Sequence, residues 1–153
     1  MKPRIYIAGP ITKGNQFHNS ALGVKAAIEV YRLGAIPFCP HLSVLADFVD
    51  QSMTYEDWME ICFAWIPQCY AVLRIPGESA GADREVELAG SLYIPVFFSL
   101  DELKEALPLL CDRPQYRYMH EQQRPVAYTQ PSDDGHTMVD FATAGTAVGV
   151  EFL

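Results

Sequence analysis

The sequence has few positive charges and lacks any long hydrophobic run. Its 153 residues include 11 Lys and Arg against 19 Asp and Glu, for a formal net charge of −8. A general nucleic-acid binder needs a basic surface to displace counterions, so the composition argues against that class. Charged residues interrupt every apolar stretch well before the roughly 20 residues that a membrane span requires. We therefore expect a globular chain that contacts neither nucleic-acid polymers nor membranes.

Signals for secretion and for metal binding are also missing. No basic leader is followed by an apolar run, so a cytoplasmic location is expected. The four cysteines form no CxxC pair, which favours buried reduced thiols. The four histidines show no HExxH or comparable spacing, so neither a metal nor another cofactor is expected. These residues are Cys39, Cys62, Cys69, Cys111, His18, His41, His120 and His136.

Short β-prone runs alternate with helical patterns over the first two thirds of the chain. Strands are predicted at 4–8, 35–39, 70–75 and 94–98, and helices at 20–33, 43–49, 54–65, 79–92 and 100–109. Ser20, Thr54 and Ser79 are the expected starting residues of three helices. This alternation predicts an α/β fold with a parallel sheet and right-handed crossovers. We expect three layers and a strand order of about 2-1-3-4. In such a sheet the ligand site lies beyond the carboxyl ends of the strands.

The composition changes after residue 111. Pro114, Pro125 and Pro131 interrupt a polar stretch, and the apolar segment 138–153 follows it. We assign residues 1–111 to the α/β domain and residues 112–153 to a C-terminal extension. Its apolar content favours packing on the parent sheet or on a neighbouring subunit, and a disordered end is the alternative.

Glu85 is a carboxylate on the apolar face of its predicted helix. At about 100° per residue, Gly81, Ala82 and Ala89 lie within roughly 60° of it, whereas Glu87 lies on the opposite face. A buried carboxylate is costly unless it is paired or borders a cavity. Two interpretations remain open from periodicity: a ligand site, or a buried salt bridge to an arginine. The arginines considered are Arg4 and Arg74.

The first strand supplies a second element of the predicted site. Tyr6 lies on the central strand, and Gly9 follows directly, where a glycine lets a ligand approach the backbone closely. The alternative is that Tyr6 belongs to the core and that Gly9 and Pro10 only form a turn.

Tyr6–Pro10 (YIAGP) and Pro76–Glu85 (PGESAGADRE), with Ala89, together resemble the nucleoside 2-deoxyribosyltransferase superfamily. The resemblance covers roughly residues 5–98 and is greatest to a small branch with the pattern S-x-G-A-x-x-E-x-x-x-A. It implies a flavodoxin-like fold and a homo-oligomer with sites near subunit interfaces. It also implies N-glycosidic bond chemistry, with Glu85 as nucleophile and Tyr6 orienting it.

The resemblance also suggests which residues bind substrate. Gly9, Pro10 and Gly81 are expected to line the site, and Ser79 corresponds to the position that faces the 5′ end of the sugar. Two departures exist: many relatives carry Asp where this chain has Tyr70, and their base-contacting acid is matched only weakly. The nearest counterpart of that acid is Asp57.

Ser79 favours a nucleotide over a nucleoside as substrate. Relatives that exchange bases on nucleosides tend to have Asp at this position, whereas relatives that hydrolyse nucleoside 5′-monophosphates have Ser. A hydroxyl donates to a phosphate that a carboxylate would repel, and a helix N-terminus adds backbone donors. Lys13 and Arg84 are possible sources of positive charge. The alternative is that Ser79 only caps its helix.

The expected function is therefore cleavage of the N-glycosidic bond of a nucleoside 5′-monophosphate. Two alternatives remain: a nucleoside 2-deoxyribosyltransferase that exchanges bases on deoxynucleosides, and a nucleotide-binding module without turnover. A phosphoribohydrolase with a PGGxGTxxE motif is a more distant alternative, because Pro76–Glu85 lacks the second Gly and the Thr of that motif.

Overall fold

A computed structural model describes residues 2–110 of the chain and contains a four-stranded parallel sheet. Its strands are β1 (Arg4–Ala8), β2 (Ile36–Phe38), β3 (Ala71–Arg74) and β4 (Val96–Phe97). They are ordered β2-β1-β3-β4 and every neighbouring pair is parallel. The predicted fold class and strand order are therefore confirmed. The assignment of residues 112–153 to an extension lies outside the described residues.

Five α-helices and two 3₁₀ helices connect and flank these strands in the described range. The α-helices are α1 (Gln16–Arg32), α2 (Val44–Val49), α3 (Tyr55–Trp65), α4 (Ala80–Ser91) and α5 (Leu100–Leu110), and the 3₁₀ helices are Pro40–Ser43 and Ile66–Gln68. Thr54 and Ser79 cap α3 and α4 as predicted.

The predicted start of α1 at Ser20 is wrong. The helix begins four residues earlier because the side chain of Asn15 accepts a hydrogen bond from the His18 N–H, at 2.9 Å. This bond satisfies a backbone donor that has no partner within the first turn of a helix. Asn19, inside α1, donates its side-chain amide to the Ile11 and Lys13 carbonyls, so the loop before the helix is fastened to it.

The two faces of the sheet bury different sets of side chains. Ile5 and Ile7 point to one face, where they pack in a cluster that includes residues of α1 and α5. Tyr6 points to the other face and packs in a cluster with Cys62 of α3 and Ala82 of α4. This alternation follows from the two-residue period of a strand and produces the three layers. Tyr6 consequently lies on the same side of the sheet as α4.

The described part of the chain contains no helix that combines the length and the apolar character needed to cross a membrane.

Candidate active site

A cavity of about 300 Å³ opens at the carboxyl edge of the sheet. Its walls come from the β1–α1 loop, the 3₁₀ helix and α2 that follow β2, one side of α3, and the first turns of α4. The volume is at the lower end of the range for small-molecule sites, roughly 300–1,000 Å³. Gly9, Ser79, Gly81 and Glu85, which the sequence predicted as site residues, all line this cavity.

Glu85 is buried, with 6% of its surface exposed, and its carboxylate borders the cavity. The hydroxyl of the fully buried Tyr6 donates a hydrogen bond of 2.6 Å to Glu85 Oε1. This short O–H···O⁻ distance is typical of a charge-assisted bond. The bond joins β1 to α4 across 79 positions of sequence, so the fold itself sets the orientation of the carboxylate.

Neither arginine considered from the sequence forms an ion pair with Glu85 among the described residues. Arg74 donates to the Gly77 carbonyl at 2.8 Å and pairs with Asp83 at 3.1 Å, on the solvent side of α4. Arg4 donates to the Gln68 carbonyl. The buried carboxylate is therefore held by hydrogen bonds and faces a cavity.

Cys62 is a third member of this cluster that sequence reasoning missed. It lies on α3, is buried, and lines the cavity. Its thiol interacts with both Glu85 and Tyr6: it lowers the pKa of the Glu85 carboxyl and raises the pKa of the Tyr6 hydroxyl. Burial raises the pKa of the Cys62 thiol to about 11, so the thiol stays protonated and can donate at neutral pH. Its place in an apolar segment indicated a core residue and gave no hint of a polar role.

The surroundings of Glu85 shift its proton affinity in opposing directions. Burial disfavours the ionised form and raises the pKa of the carboxyl from 4.5 to about 7. Hydrogen bonds from Tyr6 and Cys62, together with the positive charge of Arg74, act against this rise. The carboxylate is thus partly ionised at neutral pH, within the range that suits a nucleophile or a general base.

Burial, and then the charge of Glu85, raise the pKa of Tyr6 well above its ordinary value. Its hydroxyl therefore keeps its proton and acts only as a donor to the carboxylate.

The start of α4 forms one end of the cavity. Ser79 Oγ accepts the Ala82 N–H at 3.2 Å, which caps the helix, and the same residue lines the cavity. A Cβ on Gly81 would lie 3.2 Å from the Tyr55 hydroxyl, so a side chain there would narrow the space.

Lys13 also lines this cavity and pairs with Glu78 at 2.5 Å. Arg84 does not line the cavity and forms a bidentate ion pair with Glu56.

Gly9 forms the floor of the cavity at the end of β1. A Cβ on it would overlap the side chain of Ile75 and lie 3.2 Å from His41 Nε2, so no larger residue fits. Pro10 is buried beside it and does not line the cavity, although it packs against Gly77. Pro10 thus supports the loop that presents Gly9.

The structure does not place Asp57 at the cavity. Its carboxylate accepts the Thr54 N–H at 2.6 Å and the Thr54 hydroxyl at 2.7 Å, and so completes the capping box of α3. A different acid, Asp47 of α2, lines the cavity and was missed. Sequence periodicity in a helix of only six residues is too short to assign a face to Asp47.

No cluster of three or more His, Cys, Asp or Glu placed to hold a metal ion occurs within residues 2–110. The polar side-chain groups that line the cavity are hydroxyls, carboxylates, a thiol, the indole N–H of Trp58 and one ammonium. They suit a polar organic ligand that is held by hydrogen bonds.

The fold and the cavity together define an α/β protein with a buried carboxylate at the carboxyl edge of a parallel sheet. Residues 3–98 match the model of a family described as a domain of unknown function, DUF4406, and the chain belongs to this family. The matched segment contains β1–β4, Tyr6 and Glu85. A comparison with curated proteins finds no match.

Proposed function

We propose that this protein hydrolyses the N-glycosidic bond of nucleoside 5′-monophosphates, with Glu85 as nucleophile. The observation that carries the proposal is the buried Glu85 carboxylate, which accepts a hydrogen bond from the Tyr6 hydroxyl and faces a cavity of about 300 Å³. The resemblance of Tyr6–Pro10 and Pro76–Glu85 to the nucleoside 2-deoxyribosyltransferase superfamily supports the same chemistry. The geometry suits an attack on a sugar carbon that develops positive charge as the base leaves.

The proposed reaction has two displacement steps. A Glu85 oxygen first bonds to C1′ while the C1′–N bond breaks, and the base leaves with the electron pair and takes a proton from solvent. A water oxygen then bonds to C1′, the ester bond to Glu85 breaks, and the water loses a proton to solvent. Two inversions give net retention at C1′. The Tyr6 hydroxyl orients the carboxylate in both steps.

The 5′-phosphate is assigned to the end of the cavity formed by Ser79 and the start of α4. A hydroxyl and the backbone N–H groups of a helix N-terminus both donate to phosphate oxygens. Lys13 at the same cavity contributes positive charge, and its partner Glu78 is largely exposed and able to turn away.

Incubation with nucleosides and with 5′-monophosphates, with and without a free acceptor base, tests the proposal. Release of free base from monophosphates without an acceptor is the expected result. Base exchange that requires an acceptor would instead establish the deoxyribosyltransferase alternative. Binding of nucleotides without either product would establish a binding module.

We also propose a homo-oligomer that works in the cytoplasm. An apolar surface between α1 and α2 supports self-association, because Phe17, Leu45 and Phe48 are each about two-thirds exposed there. Free thiols at Cys39, Cys62 and Cys69 suit a reducing compartment. A monomer mass by light scattering at micromolar concentration would contradict the oligomer.

The rate of hydrolysis is expected to rise with pH along a limb with an apparent pKa of about 7, the pKa of Glu85. Only the ionised carboxylate attacks, so protonation below that pH removes the nucleophile. Tyr6→Phe and Cys62→Ala each delete a hydrogen bond that favours the ionised form. Both variants should therefore move the limb to higher pH and lower kcat, as measured by pH–rate profiles of base release.

Cys62→Ser serves as the matched control, since its hydroxyl still donates to Glu85. The apparent pKa of its pH–rate profile should stay close to that of the unmodified protein. A limb that stays in place in both Tyr6→Phe and Cys62→Ala would contradict the role assigned to these two donors.

A further inference from the structure

Two walls of the cavity face each other across the end of β1. The strand order puts β1 between β2 and β3. Asp47 lies on α2, which follows β2, and Glu85 lies on α4, which follows β3. Both residues line the same cavity, and Gly9 at the end of β1 forms the floor between them. The α2 wall is therefore opposite the proposed nucleophile.

The proposed reaction fixes which part of the substrate meets the α2 wall, and the inference below rests on that proposed function. A nucleophile displaces its leaving group from the opposite side of the reacting carbon. With Glu85 on one side of C1′ and the phosphate at Ser79, the base projects away from α4. It consequently points toward α2 and the adjoining side of α3.

The groups on that side have the chemistry of a base-binding wall. Trp58 of α3 also lines the cavity and offers an aromatic ring to a planar base. Asp47 is half-buried, and among residues 2–110 its side chain has no hydrogen bond or ion pair. Its carboxylate thus remains available to a ligand. Lys13, the cation in the described lining, is paired with Glu78 and is assigned above to the 5′-phosphate, so it does not engage Asp47.

We propose that Asp47 selects nucleotides whose base carries an exocyclic amino group, of the adenine or cytosine type, over their keto counterparts. A carboxylate can only accept hydrogen bonds. The amino groups of adenine and cytosine donate, and an acid that accepts from the cytosine amino group is a known pairing in base recognition. Hypoxanthine and uracil have a carbonyl oxygen at the same position. A carbonyl oxygen and a carboxylate are both acceptors, so no hydrogen bond forms between them.

The test compares each amino base with its deaminated counterpart. Base release is measured for AMP against IMP and for CMP against UMP, with the deoxy forms alongside. The amino member of at least one pair should be favoured by roughly 10- to 150-fold in kcat/KM, the value of a hydrogen bond to a charged group. Asp47→Asn should reduce this preference toward equality, because an amide can both donate and accept.

Asp50→Asn is the matched control on the same segment. Asp50 follows α2, is exposed, does not line the cavity, and accepts the Ser52 N–H at 2.8 Å. This variant should keep the preference of the unmodified protein. Thermal unfolding of both variants checks that each one folds.

The outcomes separate this inference from the function on which it rests. Hydrolysis without preference for the amino bases, or a preference unchanged in Asp47→Asn, overturns the assignment of Asp47 and leaves the glycosidase intact. Failure to release base from any of these nucleotides overturns the proposed function and the selectivity together.

Discussion

Replacing Glu85 with Gln is expected to abolish turnover, with a loss of at least ~100-fold in kcat. The amide keeps the shape of the side chain. Its oxygen can still accept the hydrogen bond that the Tyr6 hydroxyl donates to Glu85 Oε1, at 2.6 Å, in the unmodified protein. It is far too weak a nucleophile to form the glycosyl ester. Base release in a single-turnover assay measures the loss, and near-full activity would exclude Glu85 as nucleophile.

Glu87→Gln is the control for this substitution. Glu87 lies on the same helix and is exposed. Removal of its charge leaves the cavity unchanged, so the rate should stay close to that of the unmodified protein. A large loss in this control would indicate that the net charge of α4, and not the carboxylate in the cavity, governs activity.

Glu85→Gln should also change how the free energy of unfolding depends on pH, because burial raises the pKa of Glu85 from 4.5 to about 7. The folded state then holds a proton that the unfolded chain releases at lower pH. The contribution of Glu85 to the free energy of unfolding is greatest below about pH 4.5 and is lost as the pH rises through about 7. Glu85→Gln does not titrate, so it should gain stability relative to the unmodified protein between these limits, as measured by denaturant unfolding.

Much of the fold could be predicted from sequence, since local pattern and global topology agree. Four β-prone runs separated by helical patterns leave few permitted arrangements of a parallel sheet. The apolar stripe around Glu85 predicted its burial, because the period of a helix fixes which residues share a face. The start of α1 was missed because Asn15 and Ser20 are both good caps, and the choice between them depends on the loop before the helix.

The parts of the site that escaped prediction depend on contacts between distant segments. Cys62 resembles a core residue in sequence, and only the packing of α3 beside α4 brings its thiol to Glu85. Asp57 stands three residues after Thr54, which is the spacing of a capping box, so its structural role was open to recognition. Asp47 reaches the cavity only because α2 follows β2, next to the central strand.

Ser79→Asp is expected to reverse the preference between nucleotides and nucleosides. In the unmodified protein, 5′-monophosphates should exceed the matching nucleosides in kcat/KM. A hydrogen bond to a charged group is worth ~1.5–3 kcal/mol, or roughly 10- to 150-fold. An Asp at this position places a negative charge against the phosphate and offers an acceptor to a free 5′-hydroxyl. Nucleotide turnover should fall by about that factor while nucleoside turnover rises.

The Asp substitution is a cleaner test than Ala because it preserves the helix cap. Ser79 Oγ accepts the Ala82 N–H at 3.2 Å, and an Asp carboxylate does so equally well, whereas Ala would cost about 1 kcal/mol of stability. Ser99→Asp is the matched control: Ser99 Oγ accepts the Glu102 N–H at 3.2 Å near the start of α5, and it does not line the cavity. That control should leave the preference unchanged. An unmodified protein that prefers nucleosides would instead favour the deoxyribosyltransferase, because Ser79 would then face no phosphate.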